Sequence, residues 1–126
     1  MAAVTELKTN NAPAAIGPYS QGLTTGELVF VSGQIPVDPA TGAMAETIEE
    51  QTAQCLSNLR GVLAEAGCTL ANVIKTTVFL ADLGDFAAMN KVYGENMASP
   101  APARSCVQVA AIPKGAKVEI ECIAVK

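Results

Sequence analysis

Arg104 stands directly behind the proline-rich stretch Ser99-Pro-Ala-Pro-Ala103 and at the head of a run, Ser105 to Pro113, that carries no charge. A guanidinium anchored between a stiff segment and an apolar strand suits two-point capture of a planar carboxylate or of a phosphate. Further on, Glu119 and Glu121 alternate with Val118, Ile120 and Cys122 and so fall on one face of a strand. Two carboxylates near Arg104 could supply a base or a group that orients water. The same pattern accommodates an ion pair between Arg104 and either glutamate, or a solvated strand face. Cys106 shares its strand face with Arg104 and Gln108, although a free cysteine is commonly a small buried hydrophobe. Ala15-Ile-Gly-Pro-Tyr-Ser-Gln-Gly22 frames the Tyr19 hydroxyl with glycine and proline, and Ser32-Gly33-Gln34 follows an apolar run. Glycines in such places allow backbone to approach a ligand, and they also make turns.

The 126-residue chain contains no histidine, which removes imidazole-activated nucleophiles, His-ligated metals and imidazole acid/base chemistry. Carboxylate, lysine, cysteine, tyrosine and bound water remain for proton transfer. A formal charge of −4, with Arg60 and Arg104 as the only arginines, opposes nucleic acid as the main partner. Cys55, Cys68, Cys106 and Cys122 form no C-x-x-C pair, and Met1 to Asn11 has no apolar segment of the signal-peptide kind. The expectation is a cytoplasmic protein with reduced thiols, no membrane span, and no metal or other cofactor.

These residues need a frame. Glu27 to Ser32 reads as a buried strand, and Tyr19 to Thr25 before it as a hairpin partner across Thr24-Thr25-Gly26. Ile48, Thr52, Cys55, Leu56, Leu59, Val62, Leu63 and Ala66 recur at steps of three and four, predicting an amphipathic helix over Glu46 to Ala66. Glu46, Glu49 and Glu50 suit its positive N-terminal end and Gly67 its stop. Val73 to Leu80 returns to strand composition, and a second helix is expected over Phe86 to Met97. Two strands follow, Arg104 to Ala110 and Lys117 to Val125, with Ile112-Pro-Lys-Gly115 reading as a hairpin loop between them. The predicted order is β-β-α-β-α-β-β in a single domain spanning residues 1–126: an α+β fold, mostly antiparallel, with both helices on one sheet face. Apolar residues on both sides of the last strand predict that the other face is covered by further copies of the chain.

Taken together, the quoted segments resemble the RidA family, also called YjgF/YER057c/UK114 and, in older usage, L-PSP endoribonucleases. The resemblance runs through Ala12 to Gly22, Ser32 to Pro36, Asp38 to Gly42, Lys75 to Leu80, Asp82-Leu83 and Asp85-Phe86 with Asn90, Pro102 to Val109, and Val118 to Val125. It implies a chorismate-mutase-like fold and a homotrimer with ligand clefts between subunits. It also implies hydrolysis of reactive 2-imino and 2-enamino acids, of the 2-aminoacrylate and 2-iminobutanoate type, to 2-keto acids and ammonia. By position, Arg104 would bind the substrate carboxylate and Glu119 would orient water. Tyr19, Ser32, Gly33, Asn90 and Cys106 would line the cleft, Cys106 through backbone groups. The chain departs from many relatives at Gly94-Glu-Asn-Met97, where they carry an aromatic pair, a difference that bears on the cleft rim. Two other readings stay open: an endoribonuclease that inhibits translation, and a non-catalytic small-ligand binder or chaperone-like protein.

Overall fold

The computed structural model describes residues 3–126. Strands β1 (Thr5–Leu7), β2 (Gly22–Thr25), β3 (Leu28–Gln34), β4 (Val73–Leu80), β5 (Ala103–Gln108) and β6 (Val118–Val125) form one sheet in the order β1-β2-β3-β6-β4-β5. Helices α1 (Ile48–Ala64) and α2 (Phe86–Asn96) cover one face. Every strand pair is antiparallel except β4 with β5.

The helices form where the 3.6-residue pattern lies. In α1 the stripe Ile48, Thr52, Cys55, Leu56, Leu59, Val62 and Leu63 is buried against the sheet, as its spacing requires. The helix starts one residue after Thr47, whose hydroxyl accepts from the Glu50 amide at 3.1 Å and donates to the Glu50 carboxylate at 2.9 Å. It ends ahead of Gly67, which takes the left-handed conformation at φ 72. On the sheet side Val29, Val31, Val78, Leu80, Val118 and Ile120 complete the same core.

Two expectations need correction. A short strand, β1, precedes the predicted pair and adds an edge next to β2. With three residues and only Leu7 buried, it offers too little alternation to be seen in sequence. The hairpin through Ile112 to Gly115 does not form. Instead β5 pairs in parallel with β4, and β6 inserts between β3 and β4. The physical reason lies in α2: a strand, a helix and a strand make a crossover unit whose two strands run parallel, so β5 is committed to β4 before β6 begins.

This topology also fixes faces. Thr76, Val78 and Leu80 of β4 are buried under the helices, and across the parallel register they stand beside Arg104, Cys106 and Gln108. Along β6 it is Val118, Ile120, Cys122 and Ala124 that face the helices, so Glu119 and Glu121 point to the opposite side. The ion pair between Arg104 and either glutamate is therefore not made, and neither carboxylate lies near Arg104 within one chain.

Candidate active site

The expected residues gather in two places. On the open face, a cleft of about 580 Å³ is lined by Ile16, Tyr19, Ser32, Gly33, Lys114, Glu119 and Glu121, among others. A bulge makes this possible. Between Val31 and Gln34 strand β3 advances three residues while β6 advances two, from Cys122 to Ile120, which displaces Ser32 and Gly33 from regular pairing. The Ser32 hydroxyl donates to the Ser20 carbonyl at 2.6 Å and the Ser32 amide donates to the Gln21 carbonyl at 2.9 Å, so the bulge carries the Tyr19 segment with it. Glu119 lays its carboxylate against the Gly33 Cα, where a Cβ would overlap Oε2. Only glycine lets that carboxylate sit there. Burial first, and then the charge of Glu121, hold the Glu119 carboxyl above its ordinary value of 4.5.

The second place lies under the helix-covered face at the sheet edge. The Arg104 guanidinium donates from Nη1 to Asn90 Oδ1 at 2.7 Å. Its Cζ sits 4.8 Å from the centroid of the Tyr93 ring and 5.6 Å from that of Phe86. Tyr93 is itself fixed by a 2.7 Å hydrogen bond with the hydroxyl of Thr76, the register neighbour of Arg104. Cys106 follows on the same face. Burial raises its pKa while Arg104 pulls the other way, and burial wins, so the thiol keeps its proton. Deeper in the core, burial pushes the Cys122 thiol up to about 12.

The structure thus brings together Tyr19, Ser32, Gly33 and Glu119 in one group and Asn90, Arg104 and Cys106 in another, on opposite faces. Phe86, Tyr93 and Lys114 were not assigned to the site from sequence, although Phe86 lies in a segment that carries the resemblance. For the first two a signal existed: Phe86, Asn90 and Tyr93 stand at i, i+4 and i+7, a single face of α2. Lys114 takes the left-handed conformation at φ 61, which no residue pattern announces.

Among the described residues no helix is long and apolar enough to cross a membrane, and no group of three or more His, Cys, Asp or Glu is arranged to hold a metal ion. The family model described as Endoribonuclease L-PSP matches residues 9–126. The chain belongs to this family. Within it, the 2-iminobutanoate/2-iminopropanoate deaminase of Salmonella typhimurium is 52% identical over 124 residues, covering 95% of this chain and 96% of that one. Two solved structures from E. coli are equally similar in shape. TdcF with bound serine matches with a TM-score of 0.92 at 47% identity over 97% of this chain and 98% of its own. The YjgF gene product matches with a TM-score of 0.92 at 45% identity, again over 97% and 98%. The L-PSP family, the RidA family of the sequence resemblance, therefore supplies both the α+β fold and a deaminase as a near relative.

Proposed function

We propose that the chain hydrolyses reactive 2-imino and 2-enamino acids to 2-keto acids and ammonia in a site completed by two copies. One copy supplies Arg104 with Asn90 and Cys106. The next supplies Glu119 with Tyr19, Ser32 and Gly33, and three copies close the ring as a homotrimer. The observation that carries this reading is the pair of half-sites: a guanidinium held in place with no carboxylate partner among the described residues, and a carboxylate raised in pKa in the lining of a cleft. The deaminase name of the Salmonella relative and the serine bound to TdcF support a small carboxylate-bearing substrate.

The chemistry follows from the groups. Arg104 binds the substrate carboxylate through two N–H donors. An enamine first takes a proton at C3 and becomes the iminium, which is electrophilic without further activation. Water adds to C2 as Glu119 takes its proton, giving a carbinolamine. A proton passes to the nitrogen, the C–N bond breaks, and ammonia leaves as the hydroxyl loses its proton to form the keto group. Holding carboxylate and water in register is enough to supply several kcal/mol of barrier lowering. The endoribonuclease reading is disfavoured because Glu119 and Glu121 line the cleft and the chain carries net negative charge, both of which repel a polyphosphate backbone.

The test couples the purified protein to a threonine dehydratase and follows 2-ketobutyrate. The expected result is acceleration by the wild type and a loss of about a hundredfold or more in Arg104→Ala and Glu119→Ala, in the range of a lost positioning or general-base group. Arg104→Lys keeps the charge without the planar fork and is expected to recover only a minor part. Full activity in Arg104→Ala would end this reading.

A further inference from the structure

Three residues of α2 converge on one guanidinium. Phe86 and Tyr93 place their rings beside it, at 5.6 and 4.8 Å from Cζ, and Asn90 between them takes one Nη1 proton at 2.7 Å. Tyr93 is almost fully buried, at 6% exposure, and its hydroxyl is anchored on Thr76, which stands beside Arg104 in the β4–β5 ladder. The helix thus grips the Arg104 side chain through one face spaced i, i+4, i+7, and β4 holds that face in place through the bond of Thr76 to Tyr93. A long side chain at a sheet edge would otherwise sample many rotamers, and fixing it on binding carries an entropic cost.

We propose that Tyr93 and Phe86 are positioning residues that set the plane of the Arg104 guanidinium before substrate arrives. The inference rests on the reading above that Arg104 captures the substrate carboxylate. A two-point contact requires fork and carboxylate to be coplanar. Rings against the guanidinium fix that plane, and Asn90, by occupying one N–H, leaves the remaining donors for the incoming anion. Asn90 on this account acts through Arg104, and Tyr93 and Phe86 touch no reacting atom.

The measurement is the affinity of the assembled protein for 2-ketobutyrate by titration calorimetry, in Phe86→Leu, Tyr93→Phe and Tyr93→Leu, each with Arg104 and with Arg104→Lys. Phe86→Leu and Tyr93→Leu are expected to weaken binding about tenfold, within the span of ring–cation contacts of this kind, while Tyr93→Phe stays within about twofold because the ring is kept. With Arg104→Lys, which has no plane to set, the same ring losses change affinity at most about twofold. Equal losses in both backgrounds, or no loss from removing either ring, overturn the proposal. Phe86 is 39% exposed, so its replacement tests the idea even where Tyr93→Leu fails to fold. Turnover is followed in parallel. A wild type that binds 2-ketobutyrate with the expected pattern but accelerates no imine hydrolysis refutes the deaminase reading and leaves the clamp standing. A wild type that turns over with ring losses silent in binding refutes the clamp alone, and absence of any 2-ketobutyrate binding refutes both.

Discussion

Glu119 is a carboxylate whose folded environment favours the proton. Burial comes first and the neighbouring Glu121 charge second, and both raise its pKa above the ordinary 4.5. The sign for stability follows. Between 4.5 and the raised value the folded chain holds this proton more tightly than the unfolded chain, so the contribution is favourable at low pH and is lost as pH rises through the folded pKa. Glu119→Gln is therefore expected to be more stable than the wild type at neutral pH, with the difference shrinking to nothing towards pH 4.5 and below, as thermal melts across that range would record. On the proposed reading activity runs the other way, because only the ionised form of Glu119 can accept a proton from water. The acid limb of the pH–rate profile is expected above 4.5 and should move down in Glu121→Gln, which removes the second cause and leaves burial. A limb unmoved by Glu121→Gln would mean that the titrating group is not Glu119. Such pairing of Glu119 with Gly33 is invisible to spacing, since the two meet only through the β3 bulge and the β3–β6 pairing. Spacing marked each residue as a candidate and the family resemblance gave each a place in the cleft, but neither brought the two together.

At the scale of elements, what was legible is what repeats. The β-branched run Val73 to Leu80 is β4 to the residue, and the three- and four-residue steps of α1 survive with their ends trimmed to Ile48 and Ala64. Pairing was less legible, because sequence adjacency of β5 and β6 suggests a hairpin while the helix between β4 and β5 dictates a parallel pair. That crossover was readable in principle from strand, helix and strand in succession. Buried polar side chains were missed as well, and they do the positioning. Asn58 lies on the buried stripe of α1 and donates to the carbonyls of Ile35 and Val37, each at 3.0 Å, which ties down the chain leaving β3. Gln21 is buried just ahead of β2. Its amide donates to the carbonyls of Thr9, Ala12 and Pro13 at 3.1, 3.2 and 2.7 Å, and its carbonyl accepts from the Thr9 amide at 2.8 Å. These bonds hold residues 9–13, whose Asn11 carbonyl rests on α1 at Gly61, a place with no room for a side chain. Gln21→Leu strands that set of backbone groups and is expected to cost about 2–3 kcal/mol of stability, with faster amide exchange in residues 9–13. A melting temperature equal to that of the wild type would show that the staple contributes nothing.

At the scale of the molecule, the sheet has one face sealed by helices and one that displays Leu23, Leu28 and Phe30, all more than a third exposed, with Ile123 half-buried beside Phe30 in the β3–β6 register. Glu119 opens onto that face and Arg104 does not, so a catalytic pair drawn from one chain would have to reach through the sheet. In the assembly proposed above, joining a face of one copy to the edge of another would solve both problems, by covering apolar surface and by bringing the half-sites together. The consequence is genetic as much as structural. Arg104→Ala and Glu119→Ala chains, each inactive alone, should complement when unfolded together and reassembled, because the intact Arg104 half of one meets the intact Glu119 half of the other. In a random equal mixture each interface draws both good halves about one time in four, so dehydratase-coupled activity should return to about a quarter of the wild-type value. Simple mixing without subunit exchange should give none. If reassembled mixtures stay as inactive as the parents, the two groups work within one copy, and the division of the site between faces is wrong.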